Sequence, residues 1–315
     1  MLAMRRFYFS FLIFSALLSG PYVRGDDVEQ HIRDQYLGRT FILRGFYKAS
    51  SLHFDSAGVV RESTSGDWTV DGVLQIDDIK LSPDRLKVRA NRLHFGWLQD
   101  SGFGPVQDPP PPPGVDVSKE RIVQIEYELD SVAPRSDAAA RAWSRIFLAG
   151  NDSFLDLVPE YWKPCVDAAI GASPNKNYAG CQFSRDFLAI PGVATQGTAL
   201  ANSAPKWAQD DTPPNAQNHP SFRVGTGVSP PKLLSNLQPG FSQEARTAKF
   251  HGKILLGLNV EKDGSATNVH VIRPLGCGLD AKAVEVVQEW KFKPAEKDGE
   301  PVRVAIAVEV EFHLY

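Results

Sequence analysis

From Phe250 to Tyr315 the apolar positions change period twice, and each change marks an element. Ile254, Leu256, Leu258 and Val260 alternate with Leu255, Gly257, Asn259 and Glu261, which predicts a strand with one buried face. Lys262-Asp263-Gly264-Ser265 carries turn chemistry, since Gly264 tolerates the positive φ of a hairpin, and Ala266 to Arg273 reads as the returning strand. After the breakers Pro274, Gly276 and Gly278, the spacing of Leu279, Ala283, Val286, Val287 and Trp290 predicts one face of a helix. Asp280 is expected at its N-cap, with Lys282, Glu285, Gln288 and Glu289 outside. Pro294 and Asp298-Gly299 end that unit, and Val302 to Leu314 then alternates throughout. Val302, Val304, Ile306, Val308, Val310, Phe312 and Leu314 are expected inward, and Arg303, Glu309, Glu311 and His313 outward. A helix lying on a three-stranded antiparallel sheet satisfies this pattern.

Upstream, Val28 to Tyr36 reads as a helix, followed by strands at Thr40 to Tyr47, Ser51 to Phe54 and Val59 to Glu62. Further strands are expected at Trp68 to Val70, Val73 to Ile79, Leu86 to Leu93 and Arg121 to Leu129, a spacing suited to a sandwich or barrel. The run Pro109 to Pro113 reads as a stiff surface loop. Helical segments Ser136 to Leu148 and Phe154 to Ile170 follow, the second broken at Pro159, and both are expected to pack on the β-rich part. From Pro191 the composition turns to Pro, Ala, Asn, Gln, Ser and Thr, the signature of a linker. The expected organisation is therefore α+β: a leader over 1–25, a β-rich domain with two helical segments over 26–190, a linker over 191–232 and a C-terminal domain over 233–315.

Composition narrows the class. A hydrophobic content of 43% and a net charge of −3 describe an ordinary globular chain with no concentrated basic surface, so nucleic acid is not an expected partner. Arg5-Arg6 followed by the uncharged run Phe7 to Val23 reads as an export signal or, if retained, a membrane anchor. In an exported chain Cys165 and Cys181 are expected to form a disulfide, leaving Cys277 as a small turn residue. There is no Gly-x-Ser-x-Gly, His-Glu-x-x-His, P-loop or Cys-x-x-Cys, and the seven histidines lack metal-ligand spacing. No catalytic residue, metal or cofactor is expected.

The set Pro239, Phe241, Glu244-Ala245-Arg246, Gly252, Asp263-Gly264, Gly278-Leu279-Asp280, Ala283, Trp290-Lys291-Phe292-Lys293-Pro294, Gly299-Glu300-Pro301 and Phe312 resembles the C-terminal domain of TonB-family energy transducers. Gln238-Pro239-Gly240-Phe241 is similar to the family's Gln-Pro-x-Tyr stretch, with Ser242 where a proline is usual. The resemblance implies pairing with an extended TonB box of an outer-membrane receptor by strand addition on the last strand, and coupling to an inner-membrane proton-driven motor complex. It thus implies partner contacts at Gln238, Pro239, Phe241, Val304, Ile306, Val308, Glu309, Val310 and Glu311, in the periplasm. A soluble periplasmic peptide-binding module without energy coupling stays open beside it, as does a strand-swapped homodimer beside a monomer.

Overall fold

The computed structural model describes residues 25–98, 102–106, 121–149, 153–170, 180–194, 222, 224–225, 227–235 and 237–314. The run Phe7 to Val23, the five-proline stretch and most of the expected linker lie outside these. In chain order the elements begin with α1 (Gly25–Tyr36), β1 (Thr40–Ile42), β2 (Ser51–Phe54), α2 (Trp68–Asp71), β3 (Val73–Leu81), β4 (Arg85–Arg92), β5 (Phe95–Leu98), β6 (Gly102–Pro105) and β7 (Ile122–Glu128). Next come α3 (Arg135–Ile146), α4 (Phe154–Leu157), α5 (Lys163–Ile170), α6 (Arg185–Leu188), β8 (Lys232–Ser235) and α7 (Gln243–Thr247). The C-terminal part adds β9 (Gly252–Val260), β10 (Ala266–Arg273), α8 (Leu279–Glu289), β11 (Lys291–Lys293), β12 (Ala295–Lys297), β13 (Glu300–Val302) and β14 (Val304–Phe312).

The N-terminal part is strand-rich, but it is neither sandwich nor barrel. Its described strands form a five-stranded sheet in the order β1-β3-β4-β7-β2, antiparallel except for the parallel pair β2 and β7, and a separate antiparallel pair β5-β6. Side-chain chemistry gives the reason. Leu74, Ile76, Leu86, Val88, Val123 and Ile125 bury one face under α1 and α3, where Tyr36 stacks on Trp143 at 4.0 Å. The opposite face carries Asp77 with Arg89 (2.6 Å) and Glu126 with Lys87 (2.7 Å), charges that a second sheet could not cover without large desolvation cost.

Three local expectations fail for physical reasons. Thr40 to Tyr47 is a strand only to Ile42, because Gly45 takes φ 75° inside a 3₁₀ turn. Val59 to Glu62 is reduced to a single bridge between Phe54 and Val60. Trp68-Thr69-Val70 is helical: Asp67 caps α2 by accepting from Thr69 N–H at 2.8 Å, and burial of all three residues overrides their strand preference.

The segment Phe154 to Ile170 breaks at Pro159 as expected, but it packs elsewhere. Its α5 lies against β10 of the C-terminal sheet, and Tyr161 O accepts from Val271 N–H at 2.8 Å. Trp162, Phe154, Phe103 and Phe187 surround Trp68, with Trp162 and Phe154 ring centroids 4.9 and 5.1 Å from it. That aromatic group is continuous with Ile254, Leu256, Leu258, Val271 and Leu275, so one core spans both parts of the chain. Cys165 and Cys181 form a disulfide that ties α5 to the segment leading into α6.

A main-chain seam accompanies the shared core. Trp97 N–H donates to Leu275 O and Cys277 N–H to Phe95 O, both at 2.8 Å, and Gly278 N–H donates to Thr69 Oγ1 at 3.0 Å. Gly276 makes this approach possible: it takes φ 93°, and a Cβ there would meet Phe95 O at 2.3 Å and Gly96 Cα at 2.4 Å. Asp280 is not the N-cap of α8. Gly278 holds that place, and the Asp280 carboxylate sits further along, wholly buried, accepting from Leu275 N–H (2.8 Å) and Gly276 N–H (2.7 Å). Burial pushes its pKa up to about 7 against those two donors. Burial likewise pushes the Cys277 thiol up to about 12, an unreactive state.

Two measurements check this description. Replacing both Cys165 and Cys181 by alanine, a pair separated by 16 residues, is expected to lower unfolding free energy in a denaturant titration. For a loop of that size the loss is about 3 kcal/mol. For Asp280 the folded pKa lies above the unfolded one, so the folded state holds the extra proton and stability declines as pH rises from about 4 through 7. Asp280→Asn is expected to flatten that slope relative to the parent between those pH values. Parallel slopes would show that Asp280 stays ionised.

Candidate functional site

The C-terminal sheet has the order β10-β9-β14, antiparallel throughout, with α8 packed on its buried face. Asp263 Oδ1 accepts from Ser265 N–H at 2.9 Å in the β9–β10 turn, and Gly264 there takes φ 81°. Leu279, Ala283, Val284 and Val287 of α8 are buried, and Trp290 follows the helix with its Nε1–H donating to Leu237 O at 3.0 Å. Val302 ends a hairpin of β12 and β13 rather than opening the last strand. Arg303, expected outward, is only 8% exposed, because its guanidinium meets Glu261 at 3.1 Å.

The two edges of this sheet differ. That of β10 is covered by Tyr161 and α5. Along β14 the register with β9 is unbroken from Val304–Val260 to Phe312–Gly252, and Phe222 is the single described residue outside β9 that bridges it. Phe222 N–H donates to Arg303 O at 2.8 Å, so residue 303 turns its main chain away from β9. Main-chain direction reverses at each residue of a strand. Ala305, Ala307, Glu309 and Glu311 therefore turn their N–H and C=O groups away from β9, the Ala305 N–H lying within the parallel bridge to Phe222 and the rest along the open edge.

The register divides the expected contact residues of β14 into two groups. Val304, Ile306, Val308 and Val310 direct their main-chain groups to β9, and their side chains face the core, Val304 and Val310 fully. Glu309 and Glu311 do lie on the open edge, each already paired on the outer face: Glu309 with Lys253 (2.7 Å) and Arg273 (3.2 Å), Glu311 with His313 (3.1 Å). The Lys253 hydrogen bond holds the Glu309 carboxyl below the usual carboxylate range. Ala305 and Ala307 join them on that edge, although their side chains carry no signal of it. The same alternation identifies both once β9 is taken as the neighbour.

Gln238 is exposed, while Pro239 and Phe241 are half-buried. Phe241 sets its ring edge-on to Phe312 at 5.4 Å, which brings this stretch to the far end of β14. Ser242 has a structural role, since its Oγ accepts from Ala245 N–H at 3.0 Å, capping α7, and donates to Cys277 O at 2.5 Å. A proline could do neither.

Comparison with known proteins agrees with this domain. The family model of the Gram-negative bacterial TonB protein C-terminal region matches residues 238–314. Protein TonB of Vibrio cholerae serotype O1 is 29% identical over 89 residues, which span 28% of this chain and 36% of that protein. The chain thus covers about a third of that relative's length. A solution NMR structure of the Pseudomonas aeruginosa TonB CTD aligns with 29% of this chain and 89% of its own, at 16% identity and a TM-score of 0.24. Residues 238–314 of this chain are a TonB C-terminal domain.

Proposed function

We propose that the open edge of β14 takes an extended segment of a TonB-dependent outer-membrane receptor as an added strand, without catalysis. The observation that carries this reading is the asymmetry of the sheet: its own chain covers the β10 edge, while Ala305, Ala307, Glu309 and Glu311 offer main-chain donors and acceptors on the other. The half-buried side chains of Ile306 and Val308 would extend the buried face under an incoming strand. Transport then belongs to the receptor. Gln238, Pro239 and Phe241, at the Phe312 end, would meet the same segment as it leaves the sheet.

Coupling to an inner-membrane proton-driven motor belongs to this reading through Phe7 to Val23 as an anchor. If that run is removed on export, the chain becomes a periplasmic peptide-binding module without coupling. Mass and fractionation of the mature protein in a Gram-negative cell separate the two: an intact N-terminus in inner membranes is expected, and a soluble chain starting near Asp26 would remove the coupling.

Proline scanning tests the edge itself. Ala307→Pro removes a donor that faces the open edge, a position proline tolerates, and is expected to preserve folding while weakening capture of a TonB-box peptide by at least about fivefold. Ile306→Pro removes a donor from the β9 ladder and is expected to destabilise the domain instead. Equal capture by the Ala307→Pro variant and the parent would sink strand addition on this edge.

A further inference from the structure

Strand addition alone does not fix where an added strand stops. Ala305 and Ala307 are both exposed alanines, so at this end of the edge a partner shifted by two residues meets the same side chain, and along the whole edge it meets the same sequence of main-chain groups. A one-residue slip would turn its side chains over and is penalised. A two-residue slip is not.

The segment ahead of β8 supplies a stop. Phe222 bridges Val304 in the parallel sense, beside β14 and in the row that an added strand would fill. It is fixed from several directions: its N–H donates to Arg303 O at 2.8 Å, and Lys297 Nζ lies 4.8 Å from its ring centroid. Just downstream Val228 is 7% exposed and bridges Lys297. Ser229 N–H donates to Glu296 O, and Glu296 N–H to Ser229 Oγ, each at 2.9 Å. The segment is thereby stapled to the β12–β13 hairpin, with Phe222 at the first place of the row.

We propose that Phe222 is a positioning residue that closes the β14 edge at its Val304 end, so that a partner strand seats between Ile306 and Phe312 and no further. This rests on the strand-addition reading above. The lane is then finite, about 24 Å at roughly 3.4 Å per residue. A peptide residue placed opposite Ala307 leaves room for only the one position at 306 before the chain meets Phe222.

Disulfide trapping tests this in the full chain carrying Ala307→Cys. The probes are capped peptides of alternating threonine and valine, about ten residues long, which have no register of their own. Each carries one cysteine, near one end, near the other, or at the centre. The native disulfide and Cys277 are buried and do not compete. In the parent, one end-placed cysteine is expected to couple and the central one to couple poorly, since it would drive the peptide past Phe222. Adding Phe222→Ala is expected to raise coupling of the central cysteine by at least about fivefold, and Lys297→Ala, which frees the ring, to raise it in the same direction. Equal central coupling in parent and variants would overturn the stop while leaving strand addition intact. No coupling at any position, in parent or variants, would overturn strand addition as well.

Discussion

A three-stranded sheet has two edges, and the main-chain groups along each must meet partners or water. In the C-terminal sheet of this chain, covering the β10 edge organises most of what lies upstream. Tyr161 and α5 reach it only because the aromatic group around Trp68 packs into the same core as Ile254 and Leu256. The loop Leu275–Cys277 can lie against β5 only because Gly276 has no side chain. The disulfide holds the covering segment together. Take away that cover and both edges are alike; with it, β14 is the edge that the described residues leave largely unpaired.

The seam also concentrates buried acid. Asp67 and Asp71 come from around α2, and Asp280 from α8. Arg92 stands 3.4 Å from Asp71, and Thr69 links Asp67 to Gly278 N–H. Burial raises the pKa of all three carboxyls. Carboxyls outside the seam behave oppositely: Asp78 beside α1, and Glu126 and Glu309 on the outer faces of the two sheets, are held ionised by Arg33, Lys87 and Lys253. Acid therefore protects the seam and weakens the surface, and net stability reflects both.

Much of the C-terminal domain is legible in the sequence because side-chain period reports burial directly: Ile254, Leu256, Leu258 and Val260, the α8 residues Leu279, Ala283 and Val287, and Val304, Val310 and Phe312 of the last strand are buried where their spacing puts them, whereas Leu314, expected inward, lies beyond β14 and is exposed. What spacing cannot report is which neighbour a strand has. Hence the spacing of Val304 to Val310 reports their burial but not that their main-chain groups pair with β9 while those of the residues between them turn away. Arg303 misleads for a similar reason, since its partner Glu261 is remote in sequence. Upstream, β5 and β6 are short, glycine-bearing and ordered by contact with the C-terminal loop and with Gln182 and Ser184, so no local pattern announces them. The packing of α5 on β10 is hidden likewise, because an amphipathic helix shows that it has a buried face but not what covers it.

The disulfide gives the order of events in the cell a structural meaning. Before Cys165 and Cys181 join, the segment that shields β10 is held only by packing and the Tyr161 hydrogen bond, and a newly made chain in a reducing compartment more readily offers neighbouring chains an extra edge. Production yield should accordingly follow where the polypeptide matures: an oxidising compartment finishes the shield, whereas a cytosol crowded with identical chains exposes each to self-association during biogenesis.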